Sequence, residues 1–311
     1  MIDFFDKIYT SLDNRHNLLV RLRIYKLARF VVRWTANIVL PVVFYLTRNK
    51  TSFRLEACKK INGRYIVSLT SFPARTSRLW LVIETILRQK VKPDMIILWL
   101  SAKQYPSDDD VPQSLKRLQE RGLTIELVPE DYRSHKKYCY TLKRYPDDHI
   151  ITIDDDVFYD SRLVERMINT HKEHPHAIVT NKSHQMTYND DGQLKEYKCW
   201  NFDTKEDSDL FVIGAGGNLY PAHCMDDMAT DIDLAMELTP TGDDIWLNAM
   251  VRLKHTSIIH TPYYALEQVP VINAHNVTLN ATNVTSTNDI QIKALIQYLE
   301  HHNIKNPFVK E

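Results

Sequence analysis

In the stretch Ile150-Ile151-Thr152-Ile153-Asp154-Asp155-Asp156-Val157, an apolar, β-branched segment leads directly into three consecutive carboxylates. The apolar half predicts a buried strand, because it lacks the polar alternation of a half-solvated one. Three adjacent like charges repel and are costly to desolvate, so a divalent cation, Mg²⁺ or Mn²⁺, is their simplest partner. The alternative is a solvated acidic turn, but residues 146–149 already supply a turn. The stretch therefore predicts a metal site at a strand's carboxyl end, where α/β sheets place ligands.

Strand and helix patterns alternate on both sides of this stretch. Before it, strands are predicted at 65–70, 95–100 and 123–128, and helices at 77–89, 113–121 and 137–144. After it, helices at 161–174, 226–236, from 243 onward and at 288–302 alternate with strands at 177–181 and 256–261. This rhythm predicts an α/β fold, with a mostly parallel sheet flanked by helices. We assign residues 61–311 to this domain and residues 1–60 to an N-terminal extension.

Charge and cysteine usage exclude several classes of function. Residues 1–60 hold twelve Lys or Arg and four Asp or Glu, a net of +8, which leaves −8 for the remainder of a chain of zero net charge. A negative main body argues against nucleic-acid binding. The four cysteines are scattered without a C-x-x-C pair, which fits neither a zinc site nor a disulfide framework. Reduced thiols and a cytoplasmic location are the expectation.

Residues 15–50 form a basic amphipathic segment with eight Lys or Arg and no acidic residue. Its apolar run from Trp34 to Leu46 is thirteen residues long and is interrupted by Pro41, so it is too short to span a bilayer. It also lacks a signal-peptide cleavage pattern. We therefore predict a peripheral helix on the inner face of the cell membrane, attracted by anionic lipids. The alternative is a helical arm that packs on the main domain or on a second subunit, which would make an oligomer.

Two further charged groups can flank the predicted metal. Lys136 and Lys137 precede the acidic strand, and a cationic pair beside a metal and a diphosphate would steady the charge of a leaving group. Asp243 and Asp244 follow Gly242 at a predicted helix start. There they can cap the helix, or one of them can serve as a general base.

The glycines at 214, 216 and 217 indicate close backbone approach to a ligand or positive φ angles. They do not form the G-x-G-x-x-G fingerprint of a dinucleotide site, and the chain has no phosphate-loop lysine motif. A nicotinamide enzyme or a P-loop ATPase is thereby disfavoured. Either His260 or His275 could complete the metal shell through its imidazole, although a lone histidine is more often structural.

Four motifs follow one another along the chain: Ile-Val-Ser-Leu-Thr-Ser-Phe-Pro-Ala-Arg75, the Asp154–Asp156 triplet, Gly-Ala-Gly-Gly-Asn-Leu-Tyr-Pro221 and Gly-Asp-Asp-Ile-Trp246. In this order they resemble the motifs of a family 2-type bacterial glycosyltransferase of surface-polysaccharide assembly. The resemblance covers about residues 64–265 and leaves the N-terminal extension aside. It implies a GT-A (Rossmann-like) fold, a nucleotide-diphosphate sugar as donor, and Mn²⁺ or Mg²⁺ as cofactor.

The resemblance also implies roles for individual residues. The nucleotide would contact Thr70, Ser71, Phe72 and Arg75, and the metal and diphosphate would bind Asp154 and Asp156. The sugar and acceptor would contact Gly216, Gly217 and Trp246. Asp244 would be the base and Asp243 would orient the acceptor, but an Asp-Asp pair replaces the commoner Glu-Asp and leaves that choice open. Strand alternation turns Asp155 away from its neighbours, so it is expected to support the site or to contact the donor's ribose.

Together these observations predict a metal-dependent, inverting transfer of a sugar to the hydroxyl of a glycan or lipid-linked acceptor. Two alternatives remain open at this stage. A sugar nucleotidyltransferase also uses strand-end carboxylates and a metal, although its first loop is normally rich in glycine. A membrane-docked, sugar-binding protein without catalytic activity is the other.

Overall fold

The computed structural model describes residues 1–12, 24–56, 60, 62–202, 208–263, 267–272 and 287–310. The strands in these residues are β1 (Tyr65–Thr70), β2 (Met95–Ser101), β3 (Leu123–Val128), β4 (His149–Thr152), β5 (Ile178–Thr180), β6 (Ser183–Gln185), β7 (Leu210–Val212), β8 (Asn218–Tyr220) and β9 (Ile258–His260). Seven of them form one sheet in the order β3-β2-β1-β4-β8-β5-β9, and β6 pairs with β7 in a small separate sheet.

The large sheet is parallel except around β8, which runs antiparallel to both of its neighbours. In register, Thr152 of β4 pairs with Ser68 of β1 on one side and with Asn218 of β8 on the other. The end of β4, where the acidic triplet follows, therefore lies between the end of β1 and the start of β8. This arrangement confirms the predicted α/β class: a mostly parallel sheet flanked by helices, with a helical N-terminal extension.

The helices connect and cover these strands. They are α1 (Ile2–Ser11), α2 (Tyr25–Thr47), α3 (Pro73–Leu87), α4 (Gln113–Gln119), α5 (Lys136–Arg144), α6 (Leu163–Glu173), α7 (Ile232–Leu238), α8 (Asp243–Leu253) and α9 (Asn288–His301). Helix α3 begins at Pro73 and not at the predicted Ser77. A proline has its φ preset for the first turn and loses no hydrogen bond there, so it starts the helix earlier than the serine.

Two large buried clusters of apolar side chains, with a small third one beside β1 and β2, hold the described residues together. One lies around β1, β4 and α3, and the other packs α7, α8 and α9 beside the small sheet. Because α8 belongs to the second cluster, its first residues are held by packing that is separate from the packing behind the acidic triplet.

The N-terminal helices pack against the main body. Ile2 and Phe5 of α1 and Leu40 and Phe44 of α2 are buried in the first apolar cluster. The sequence suggested that Pro41 would interrupt this segment, but α2 continues through Pro41 and is 23 residues long in all. Among the described residues, α2 is the helix whose length and composition would suffice to cross a membrane.

Candidate functional site

Five separate segments meet at the carboxyl edge of the sheet. One group of side chains comes from the residues after β1, the start of α5, the triplet after β4 and the first residues of α8, and the Gly214–Gly216 turn before β8 lies beside them. We call this group the acidic site, and define it by the following residues: Arg75, Lys137, Asp154, Asp155, Asp156, Asp243 and Asp244. The sequence predicted these members individually, and the fold brings them together.

Asp155 ties the end of β1 to the end of β4. Ser71 donates a hydrogen bond of 2.6 Å from its hydroxyl to one carboxylate oxygen, and Arg75 donates one of 2.6 Å to the other. The carboxylate is buried, and burial raises the pKa of Asp155 while Arg75 and Ser71 act against that rise. Because both of its carboxylate oxygens accept hydrogen bonds from the protein, Asp155 supports the site by holding the end of β1 against the end of β4.

Asp156 is more open than its neighbour. Its carboxylate lies 3.0 Å from the same Arg75 guanidinium, and 37% of the side chain is exposed. Burial and the charges of Asp154 and Asp155 together raise the pKa of Asp156 to about 6, and Arg75 offsets them only in part. The triplet therefore has an excess of negative charge at its accessible end, which a cation would relieve.

Lys137 joins the two acidic motifs. Its ammonium lies 2.9 Å from a carboxylate oxygen of Asp154 and 2.8 Å from one of Asp243, and its side chain is almost fully buried. Burial alone would lower the pKa of Lys137, but Asp154, Asp243 and Asp244 together hold it well above its usual value. The lysine is therefore a permanent cation between the strand end and the helix start.

The pair at the start of α8 is divided electrostatically. Burial raises the pKa of Asp243, but the ammonium of Lys137 outweighs it and holds the value below the usual one. For Asp244, burial and then the charge of Asp243 raise the pKa to about 7, and Lys137 offsets them only in part. The Asp244 carboxylate also accepts the Gly214 amide at 3.1 Å. Environments that separate two carboxylates in this way give one a permanent charge and leave the other able to accept a proton near neutral pH.

Gly214 lies at the centre of the acidic site. A Cβ on this residue would lie 3.2 Å from an oxygen of Asp244 and 3.3 Å from both Asp154 and the ammonium of Lys137. Only a residue without a side chain leaves these three groups in place. The sequence drew attention to this glycine, but the roles implied by the resemblance were given to its neighbours.

Gly216 and Gly217 are required by backbone packing. A Cβ on Gly216 would come within 2.7 Å of the Lys182 side chain and 2.9 Å of its backbone nitrogen. Gly217 has a φ of +78°, and its Cα faces Leu163 of α6. Both glycines therefore allow neighbouring parts of the protein to pack closely at this turn. Their predicted contact with a sugar or an acceptor stays untested.

Several predicted site residues lie outside the acidic site. Lys136 pairs with Asp131, and Thr70 donates to the Trp99 carbonyl at 2.8 Å. Phe72 is at the edge of the group, where its ring lies 5.4 Å from the Arg75 guanidinium.

Trp246 is fully buried in the second apolar cluster, where its indole N–H donates to the Ala229 carbonyl at 3.2 Å. A side chain without exposed surface cannot contact a sugar or an acceptor directly, so the structure gives it a packing role.

His260 does not reach the acidic triplet. Residues Thr152, Asn218, Thr180 and His260 pair side by side across β4, β8, β5 and β9. Three strand spacings separate the first from the last, about 14 Å. The His260 imidazole lies 2.6 Å from the Ser183 hydroxyl instead. The structure thus removes His260 from the predicted metal shell, while His275 lies outside the described residues.

Two residues that the sequence did not single out support the site. The Tyr159 hydroxyl accepts the Asp154 amide at 2.8 Å and donates to the Ala215 carbonyl at 3.4 Å, which links the triplet to the glycine turn. His135 is buried, with its ring nitrogens 2.7 Å from the Tyr138 hydroxyl and the Thr239 carbonyl. Nothing in the local sequence distinguishes either residue from an ordinary core aromatic or histidine.

The part of the chain that the structure describes contains no preformed cluster of three or more His, Cys, Asp or Glu side chains suited to a metal. The partly exposed carboxylates of Asp154 and Asp156 nevertheless fit a hard divalent cation by their chemistry. Mg²⁺ in particular binds through one or two carboxylates and takes its remaining ligands from water and substrate phosphates.

Comparisons with solved structures find distant likenesses, whereas comparisons of the sequence find no match. No protein-family profile and no curated protein matches the sequence. Among solved structures, a mannosyltransferase from Pyrobaculum calidifontis in complex with GDP-Man and Mn²⁺ is 11% identical, with 90% of this chain and 77% of that chain covered and a TM-score of 0.44. A CMP:2-keto-3-deoxy-manno-octonic acid synthetase complexed with CTP is 10% identical, with coverages of 77% and 99% and a TM-score of 0.42. At such scores, neither likeness bears on what this chain does.

Proposed function

We propose that the chain is a metal-dependent glycosyltransferase that moves a sugar from a nucleotide-diphosphate sugar to an acceptor hydroxyl. The main support is the acidic site, where an Asp244 carboxylate with a pKa of about 7 lies across Gly214 from the strand-end carboxylates. Sugar transfer needs these two functions close together: a cation site for the leaving diphosphate and a base for the attacking hydroxyl.

On the donor side, Asp154 and Asp156 would hold Mn²⁺ or Mg²⁺ together with diphosphate oxygens. When bound, the cation would neutralise the charge that develops on the departing nucleotide diphosphate. Ser71 and Arg75 keep the end of β1 beside the triplet through Asp155, which would fix the edge of the nucleotide pocket. Thr70 and Phe72 belong to the same segment and would complete it.

On the acceptor side, Asp244 would remove the proton of the attacking hydroxyl. Asp243 remains ionised beside Lys137, so it would orient the acceptor or hold the lysine while Asp244 exchanges the proton. The electrostatic division favours Asp244 over Asp243 as the base. Attack on the face opposite the leaving diphosphate makes the transfer inverting. We propose a glycan or lipid-linked acceptor, as used in the assembly of surface polysaccharides.

The decisive experiment incubates the full chain with a panel of nucleotide-diphosphate sugars and Mn²⁺ or Mg²⁺, and measures the nucleotide released. We expect nucleoside diphosphate from at least one donor, loss of release in EDTA, and loss in Asp156→Asn. Asp109→Asn is the matched control, because this carboxylate is fully exposed on the turn before α4 and its ion pair is with Lys116.

Two other results would replace the proposal. Pyrophosphate formed from a nucleoside triphosphate and a sugar phosphate would identify a nucleotidyltransferase. Sugar-nucleotide binding without any released product, over the whole panel and with either metal, would identify a non-catalytic sugar-binding protein.

A further inference from the structure

The outer face of α2 is a continuous apolar stripe. Its large side chains are 46% to 75% exposed, although they belong to a helix that is packed along its other side. They recur at steps of three and four residues: Leu27, Phe30, Val31, Trp34, Ile38, Val42, Tyr45 and Leu46. From Leu27 to Leu46 the stripe extends for about 30 Å along the helix. An exposed apolar surface of this length is unusual for a soluble protein and marks a binding surface.

The inner face of α2 is fixed to the protein by apolar packing in the first cluster and by several polar contacts. The Asn37 side chain donates to the Pro270 carbonyl at 2.9 Å and accepts the Ile272 amide at 2.8 Å. Arg29 lies 4.3 Å from the centre of the Tyr9 ring and pairs with Glu267. The helix is therefore apolar on both faces, unlike an ordinary surface helix, whose outer side is polar.

These inner contacts decide how the helix can meet a bilayer. A spanning helix would have to bring the Asn37 amide and the Arg29 ion pair into hydrocarbon, or break them away from residues 267–272. A helix lying in the plane of the surface keeps every one of these contacts and buries only the stripe. The geometry thus fits an in-plane helix and not a span, although α2 is long enough to span.

The charges around α2 favour a lipid surface over a second copy of the chain. No acidic residue occurs from residue 14 to residue 55, whereas Lys26, Arg48 and Lys50 are exposed at the two ends of the helix. The Arg48 guanidinium lies 3.8 Å from the Tyr45 ring centre, next to the end of the stripe. Like charges repel between two identical faces but are attracted to anionic lipid headgroups, and Trp and Tyr are favoured at that depth of the bilayer.

We propose that the chain docks on an anionic membrane through the outer face of α2, with the helix lying in the plane of the surface and the main body outside it. This docking does not depend on the proposed catalytic activity. It would hold the acidic site near lipid-linked molecules.

Flotation of the full chain with vesicles tests the docking. Wild type should float with vesicles containing phosphatidylglycerol and less with phosphatidylcholine alone or in high salt. The triple variant Phe30→Ser, Trp34→Ser, Ile38→Ser should lose about a hundredfold or more in partition coefficient, because three large apolar contacts are removed. Ile290→Ser is the control, since Ile290 is 65% exposed on α9 and should leave flotation unchanged. Equal flotation of the triple variant and wild type would overturn the proposal.

Trp34 provides a readout that does not depend on affinity. Its fluorescence should shift to shorter wavelength when anionic vesicles are added, and Trp34→Phe should remove the shift while flotation persists. Trp34 is 46% exposed, whereas Trp99, Trp200 and Trp246 are buried and Trp80 is partly buried against the first apolar cluster. Circular dichroism of each variant without lipid checks that the fold is retained.

Two results would assign the face to another partner or mode. The stripe would be an interface between copies if the wild type sediments as a dimer and does not float, and if the triple variant sediments as a monomer. Wild type that stays with vesicles after alkaline carbonate extraction would make α2 a spanning helix. Release by carbonate is the result expected of surface docking.

Discussion

Replacing Lys137 with methionine should destabilise the protein more than the loss of any surface ion pair. The ammonium is buried between Asp154 and Asp243, at 2.9 Å and 2.8 Å. Removing one partner of a buried ion pair leaves an uncompensated charge, which costs about 3–5 kcal/mol. Asp154 is partly exposed and will recover some hydration, so Asp243 accounts for most of that loss.

The loss should depend on pH in a defined direction. In the wild type, the pKa of Asp243 is lowered from 3.8, so its pairing stabilises the fold above that pH and is lost as the pH falls through the folded value. The pKa of Lys137 is raised from 10.5, so its contribution is complete below that pH and is lost only as the pH rises through the folded value. In Lys137→Met, Asp243 faces burial without a counter-charge, and protonation relieves it. The difference between the two proteins should be largest around pH 7 to 9 and should shrink toward pH 4.

Urea denaturation from pH 4 to pH 9 measures this difference as the free energy of unfolding. Lys103→Met is the control, because Lys103 forms its ion pair with Glu130 at the exposed surface. Adding Asp243→Asn to Lys137→Met should recover part of the loss, since it removes the unpaired charge. The reasoning is refuted if Lys137→Met costs no more than Lys103→Met, or if its cost is the same at pH 4 and pH 7.

Three further predictions concern the acidic site. Asp244→Asn should lower kcat about a hundred- to ten-thousandfold. The wild-type kcat/KM should decrease as the pH drops below about 7, because the pKa of Asp244 lies near that value. An unchanged pH–rate profile in the variant would exclude Asp244 as the base. Gly214→Ala should lower kcat/KM with little change in circular dichroism, because a Cβ would press on Asp244, Asp154 and Lys137 at 3.2–3.3 Å; steady-state kinetics equal to wild type would contradict the crowding. The affinity for Mn²⁺ should weaken as the pH falls through about 6, because protonation of Asp156 removes a ligand. Titration calorimetry from pH 5 to pH 8 measures this affinity, and a constant value would count against Asp156 as a ligand.

Local patterns in the sequence predicted most of the sheet. The bounds of β1 and β3 agree with the apolar runs at 65–70 and 123–128, and β4 ends within a residue or two of its predicted end. Strands β1 and β4 are buried on both faces, so their composition alone distinguishes them from the surrounding segments, whereas β3 is a partly exposed edge strand. Strand β8 was not predicted, because three residues beside a glycine turn carry too little periodicity to indicate a strand.

The candidate site was predicted in its members but not in its connections. The sequence selected Lys137 as a cation for a leaving group, whereas the structure shows it paired with Asp154 and Asp243. The resemblance pointed to Asp244 as the base but left the choice between Asp243 and Asp244 open, and in the structure burial and the neighbouring charges separate their pKa values. Such differences arise from side chains that are distant in the sequence, so no local pattern could contain them.

By itself, then, the sequence determined that an acidic triplet would follow a buried strand in an α/β domain, and that a basic, apolar helix would precede that domain. Both depend on residue type and on periodicity over a few turns or strand lengths, which local sterics and burial enforce. Only the tertiary structure decided that an antiparallel β8 would place Gly214 beside the triplet, and that His260 would be three strands away from it. It also decided which side of α2 packs on the protein, because the partners of Asn37 lie beyond residue 269. Contacts between residues that are distant in the sequence depend on the path of the segments that connect them. That path is set by the packing of the whole core and not by any one segment.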